Sequence, residues 1–250
     1  MRKRSRVLVF VGSVILVVAL SFPWGGAVAL SIWTAWKAPP IARLAPSDLR
    51  DLSISPAIGG KLSYFGYEFE VPWSGVKNEA SAGPSSILLT YRSGLQLSAT
   101  ALGPNEAINH FAFAGVPVPP NFFQAQFGPD ATGSDYELVN SLYYFTPAKM
   151  HHWSLSRSVH MRECLLIAIK SSFLLPPATN SGIFRIHNND FRGFQQGDPQ
   201  ARPAGIVVNL YSNGGDFQFI FSQKEYNNPE GVSQAEINRV IQSLHKVQSR

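Results

Sequence analysis

Acidic residues are missing from the first 47 positions of this chain, and cysteine occurs once in all 250. The single thiol, Cys164, excludes an intramolecular disulfide, a CxxC redox pair and a multi-cysteine zinc set. It sits in the apolar run from Cys164 to Ile169, which predicts a buried, inert thiol. No cysteine follows the N-terminal apolar run, so lipobox-type lipid anchoring is excluded. Charge is scarce as well, at 15% of residues against a usual share of about a quarter. The formal net charge is +5, and Arg2, Lys3, Arg4 and Arg6 supply four of those charges. The remainder is nearly neutral and has no basic stripe, so nucleic acid is not an expected partner. Also missing are G-x-S-x-G, H-E-x-x-H, P-loop, G-x-G-x-x-G and EF-hand patterns, so no cofactor is implied.

What the chain has is apolar material: 45% apolar residues and 12% aromatics, including 17 Phe. That composition excludes disorder and supplies one sizeable core. The most directed signal is N-terminal. Four cations in six positions precede an uninterrupted run of apolar and small residues from Val7 to Phe22. Sixteen residues of helix would span about 24 Å, short of a hydrocarbon core of about 30 Å. Pro23-Trp24-Gly25-Gly26 interrupts, and apolar residues resume from Ala27 to Trp33.

Two readings follow. In the preferred one, residues 1–36 form a transmembrane anchor that runs on past Pro23, with Trp24, Trp33 and Trp36 suited to the outer interface. In the other, residues 1–29 are a signal peptide, Ala27-Val28-Ala29 is an A-x-A site, and cleavage after Ala29 secretes the rest. Both leave the cationic end in the cytoplasm and place the remaining chain outside it.

Residues 37–60 carry Pro39, Pro40, Pro46 and Pro56 and show no period, which predicts a stalk. A single α+β domain is expected over residues 61–250. Tyr67, Phe69 and Val71 alternate with Glu68 and Glu70 as a half-buried strand. Ile87–Tyr91 and Leu95–Ala99 read as a hairpin around Ser93-Gly94. Pro104 opens a short helix to about Phe113. Ser134-Asp135-Tyr136-Glu137 reads as a capping box, and Thr146-Pro147 as the start of a turn. A long helix is expected from Leu155 to Phe173, with Leu155, Val159, Leu166, Ile169 and Phe173 as its apolar stripe, Leu165 and Ala168 widening it. Strands return at Ile183–His187, Phe191–Gln195, Ile206–Tyr211 and Phe217–Ser222, the last pair joined through Asn213-Gly214. A second capping box, Ser233 to Glu236, opens a closing helix with Ile237, Val240, Ile241, Leu244 and Val247 on one side. Hairpins imply an antiparallel sheet with amphipathic helices packed against it.

The segment Tyr67-Glu68-Phe69-Glu70-Val71-Pro72-Trp73 resembles the first strand of PsbP-like domains, and the closing hairpin with helix Ser233–Lys246 is similar to the same group. The likeness covers the two ends of the domain. The middle, about Pro104 to Leu175, departs from it in being richer in helix. The resemblance implies an α/β/α sandwich used for binding or assembly and not for catalysis, and it carries over no site residues. The pattern equally suits an uncharacterised bacterial envelope family.

His151, His152 and His160 with Glu163 form the one tempting metal-like cluster. A zinc site needs three or more convergent ligands, and Arg157 and Arg162 in the same stretch oppose a cation. They read as polar-face side chains. Ser74-Gly75-Val76-Lys77 fits S-x-x-K, but its S-D-N and K-T-G companions are missing and it follows a strand. Asp190 and Asp198 read as turn residues. The remaining candidate is Gly115 to Gly133, a long aperiodic segment with three prolines. Its Phe122, Phe123 and Phe127 are either an exposed contact surface for a protein, lipid or hydrophobic ligand, or a lid folded onto the core. The expected function is binding or assembly at a membrane; an unrecognised hydrolase-like enzyme and a hydrophobic-ligand carrier are the alternatives.

Overall fold

The computed structural model describes residues 25–103, 121–129, 133–154, 156–173, 182–201, 205–223 and 231–247. The strands are β1 (Ser47–Asp48), β2 (Gly60–Tyr64), β3 (Tyr67–Val71), β4 (Val76–Gly83), β5 (Ser86–Tyr91), β6 (Leu95–Leu102), β7 (Ile183–His187), β8 (Arg192–Gln196), β9 (Gly205–Tyr211), β10 (Asp216–Gln223) and β11 (His245–Lys246). The helices are α1 (Gly25–Lys37), α2 (Phe122–Phe127), α3 (Asp135–Tyr144), α4 (Arg157–Phe173) and α5 (Gln234–Ser243). Eight strands form one sheet in the order β1-β7-β8-β9-β10-β6-β5-β4, and three form a second, β11-β3-β2. Every pairing is antiparallel except β1 with β7. The class is mixed α+β.

Strand periodicity places two cores on the large sheet. Ile206, Val208 and Leu210 of β9 and Phe217, Phe219 and Phe221 of β10 point to one face, where β3 and α5 cover them. Phe194 of β8 and Tyr211 of β9 belong to the other core, with Leu138, Leu142 and Tyr143 of α3 and Leu166 and Ile167 of α4. Side chains alternate across a strand, so one sheet serves both layers. The first core is ring-rich: Phe69 lies 5.1 Å from Phe219, and Tyr67 lies 5.0 Å from Phe217, both edge-on. The closing helix keeps its full capping box, Ser233 accepting from the Glu236 N–H and the Glu236 side chain accepting from Ser233 N–H. Ile237, Val240, Ile241 and Leu244 are buried, whereas Val247 lies beyond the helix and is exposed.

Several expectations change. β2 pairs with β3 through the two-residue turn Phe65-Gly66, both at positive φ (56° and 79°). This hairpin lacks the Asn or Asp that usually marks such turns. Val76–Gly83, rich in small and polar residues, is a further edge strand. Residues 38–60 are not a free stalk. Ile41 and Ala42 are buried, β1 joins the large sheet, and the Asn238 amide donates to Asp51 and Ser53 carbonyls at 2.9 and 2.8 Å. The Arg239 guanidinium donates to the Ser55 carbonyl at 2.6 Å. Helix side chains satisfy this segment's backbone and hold it on the body. In α4 the inward face runs through His160, Glu163, Ile167 and Lys170, all buried, while Ala168 is exposed. The helix is turned so that polar groups share its inner stripe. The expected helix from Pro104, Leu155 and residues 1–24 lie outside the described residues. Among the described residues no helix is long and apolar enough to cross a membrane.

Candidate functional site

Polar groups on an inward helix face must find partners, and those of α4 build a groove at its N-terminal half. Glu163 is fully buried, and its carboxylate accepts from the His151 backbone N–H at 2.9 Å and from His151 Nδ1 at 2.6 Å. One carboxylate oxygen meets the backbone N–H and the other meets Nδ1, so Glu163 fixes the ring and leaves Nε2 pointing away from it. The His151 side chain is 73% exposed, so that nitrogen is available at the surface. His160, also fully buried, holds the Ser154 carbonyl through Nε2 at 2.7 Å. The loop 150–154 is thus clamped to α4 at two points.

The loop is clamped a third time from α1. Ser31 Oγ, fully buried, lies 2.9 Å from His152 Nδ1. Arg162 donates to the Ala125 carbonyl at 3.3 Å, tying the end of α2 to α4. Between these pieces lies a groove of about 860 Å³ walled by Ala125, Met150, Trp153, Val159, Arg162 and the His151–Glu163 pair. Trp153 is 87% exposed on its rim. The groove therefore offers an oriented imidazole, a guanidinium and an apolar wall. That combination suits an amphiphile with an anionic or hydrogen-bonding head.

The sequence-level candidates fare differently. Phe122 and Phe123 are 5% and 7% exposed and belong to the helical-side core. Phe127 packs against the same core, its ring 6.4 Å from Phe145. The contact surface expected here is corrected to a lid at Phe122 and Phe123, whose buried rings present no free area to a partner, while Phe127 beside them is half-buried. The histidines are brought together with Glu163, but by pairing and clamping. Among the described residues no group of three or more His, Cys, Asp or Glu side chains could hold a metal ion. Ser74 and Lys77 are exposed and stand before and on β4, not at a helix start. Cys164 is half-buried and not sealed in the core; burial raises its thiol, which disfavours the thiolate. Ser31 meets an imidazole, but its Oγ is sealed beneath α1, out of a substrate's reach.

A second hollow of about 370 Å³ lies between the turns 188–191 and 212–216, with Asp135, Asp190 and Asp216 in its wall. Arg192 lies over the Tyr136 ring at 4.4 Å beside it. Sequence reasoning missed Lys170, which is fully buried and donates to the carbonyls of Leu44 (2.6 Å), Tyr143 (2.6 Å) and Phe145 (2.9 Å). The last carbonyls of a helix lack partners within it, and Lys170 supplies one to the end of α3. Comparison with family models, with curated proteins and with solved structures gives no match to this chain.

Proposed function

We propose that the chain is a membrane-tethered domain held outside the cytoplasm, with the α4 groove as its binding site for an amphiphilic ligand or partner segment. The anchor expected over residues 1–36 is shortened in this reading to residues 1–24, since α1 packs along α4, and their four cations set the orientation. The observation that carries it is the groove itself: three separate polar clamps shape the loop 150–154 around an exposed imidazole and an apolar wall. Binding is favoured because the groove joins a wide apolar wall to a few fixed polar groups. The PsbP-like likeness of the first strand and closing helix points the same way, toward binding or assembly.

A hydrolase-like reading rests on the same pair. A carboxylate that orients Nδ1–H leaves Nε2 as a general base for water. Photo-crosslinking from position 153 in native membranes separates the two. A small amphiphile or a peptide adduct, abolished by His151→Ala, supports binding. No adduct, with ester or amide turnover that vanishes in His151→Ala, supports the enzyme. Topology is tested by protease added to intact spheroplasts: digestion beyond residue 37 is expected, and full protection until lysis rules the tether orientation out.

A further inference from the structure

Four of the exposed large apolar side chains fall within the 13 residues of α1: Leu30, Ile32, Trp33 and Trp36, the two tryptophans at 58% and 69% exposure. The opposite face of the same helix, at Ala27 and Ser31, is buried against the body, where α1 packs along α4. Such a helix has one face committed to the domain and one apolar face uncovered.

Charge narrows what can cover it. Lys37 lies over the Trp36 ring at 4.1 Å, and Arg43 donates to the Ala35 and Trp36 carbonyls at 2.9 and 3.2 Å. No acidic residue occurs before Asp48. An apolar face rich in tryptophan and edged by cations, with no anion, is the composition of a helix lying in a membrane interface. Chain length supplies the rest. The apolar run ends at Phe22, three residues before α1 begins at Gly25. Three peptide units reach about 10 Å, so a run that enters the bilayer delivers α1 to its surface.

We infer that the outer face of α1 lies on the lipid headgroup layer, with Trp33 and Trp36 in the interface. This rests on the tether of the proposed function.

Spin labels test it on the full chain in nanodiscs of phosphatidylcholine and phosphatidylglycerol. One label replaces Trp36 (Trp36→Cys in a Cys164→Ser background), a second replaces Phe22, and a third replaces the exposed Lys61 as an aqueous reference. Position 36 is mostly exposed, so the label leaves the fold intact. The expected result is a ratio of oxygen to nickel-chelate accessibility several-fold higher at positions 22 and 36 than at 61. A high ratio at 22 with a water-like ratio at 36 overturns the inference and leaves the tether standing. Water-like ratios at both positions overturn the tether and the inference with it. Strong spin–spin broadening at position 36 that disappears on dilution with unlabelled chain gives the face to a second copy and also overturns it.

Discussion

On one side of the large sheet Phe217, Phe219 and Phe221 meet Tyr67, Phe69 and the apolar stripe of α5; on the other, His160, Glu163 and Lys170 are buried to the same depth among Leu138, Tyr143 and Leu166. Both sides are closed to water, but they are closed by different means. The α5 side depends mainly on area and ring contacts, which are tolerant in geometry, with the amides of Gln195, Gln234 and Asn238 bonded at the edge of its helix. The α4 side depends on hydrogen bonds that must each be made, because an unmatched buried polar group costs its full desolvation. The difference teaches where the molecule spends stability on shape. Its polar clamps fix the loop 150–154 and the end of α3, and these border the groove.

The largest expected effect lies on the apolar side. Phe219→Ala should cost about 3–5 kcal/mol, because the ring is fully buried and its loss leaves a cavity. Urea titration of the full chain in detergent checks this; a loss below about 1 kcal/mol would show that the α5 side is loosely packed. On the polar side Lys170→Met should cost about 2–4 kcal/mol, since it strands three carbonyls that a methionine of similar length cannot serve. The same lysine carries a pH signature. Burial, with Lys149 nearby, lowers its ammonium to about 7 from an ordinary 10.5. Above pH 7 the unfolded chain then binds the extra proton, so the fold gains stability as pH rises through this window and is least favoured at pH 7 and below. The stability gap between wild type and Lys170→Met should widen from pH 7 to pH 10. A gap that is flat or shrinks would mean the ammonium stays charged inside.

The two sides also differed in how far the sequence revealed them. The α5 side was legible because period-2 strands and a capping box make local, redundant signals: Phe69, Phe217, Phe219 and Ile241 all fell where alternation and helical spacing put them. The α4 side was not. Of its expected apolar stripe Leu166 and Ile169 are buried, but hydropathy missed that His160, Glu163 and Lys170 share the inner side with Ile167, and it included the exposed Ala168. Asn238 shows the same limit, since an amide that hydrogen-bonds carbonyls 185 and 187 residues away leaves no local trace. His151, His152, His160 and Glu163 read together as a metal-like cluster on a polar face. Twelve residues of separation could not show that Glu163 would cap and orient His151.

Intermediate effects fall on the lid. Phe122→Ser and Phe123→Ser should each cost about 2 kcal/mol, less than Phe219→Ala because α2 is a single short helix at the edge of its core. Melting temperature measured on each variant checks this. Unchanged melting with lost partner binding would restore these rings as a contact surface and remove the lid from the polar side's account.

The smallest effect on stability is expected at Trp153, and it bears most directly on why the two sides differ. Its ring is 87% exposed, so Trp153→Ala removes little buried area and should change the unfolding free energy by less than about 0.5 kcal/mol. The backbone around it is held by others: His152 by Ser31, the Ser154 carbonyl by His160, and His151 by Glu163. A large aromatic side chain that its surroundings do not need for folding, standing on the rim of a groove shaped by three polar clamps, is what a binding site requires and a core does not. Crosslinking from a probe at position 126, on the α2 side of the groove, should therefore fall several-fold in Trp153→Ala while melting is unchanged. A stability loss above about 1 kcal/mol would place the ring in the packing and leave the polar clamps with only a structural purpose.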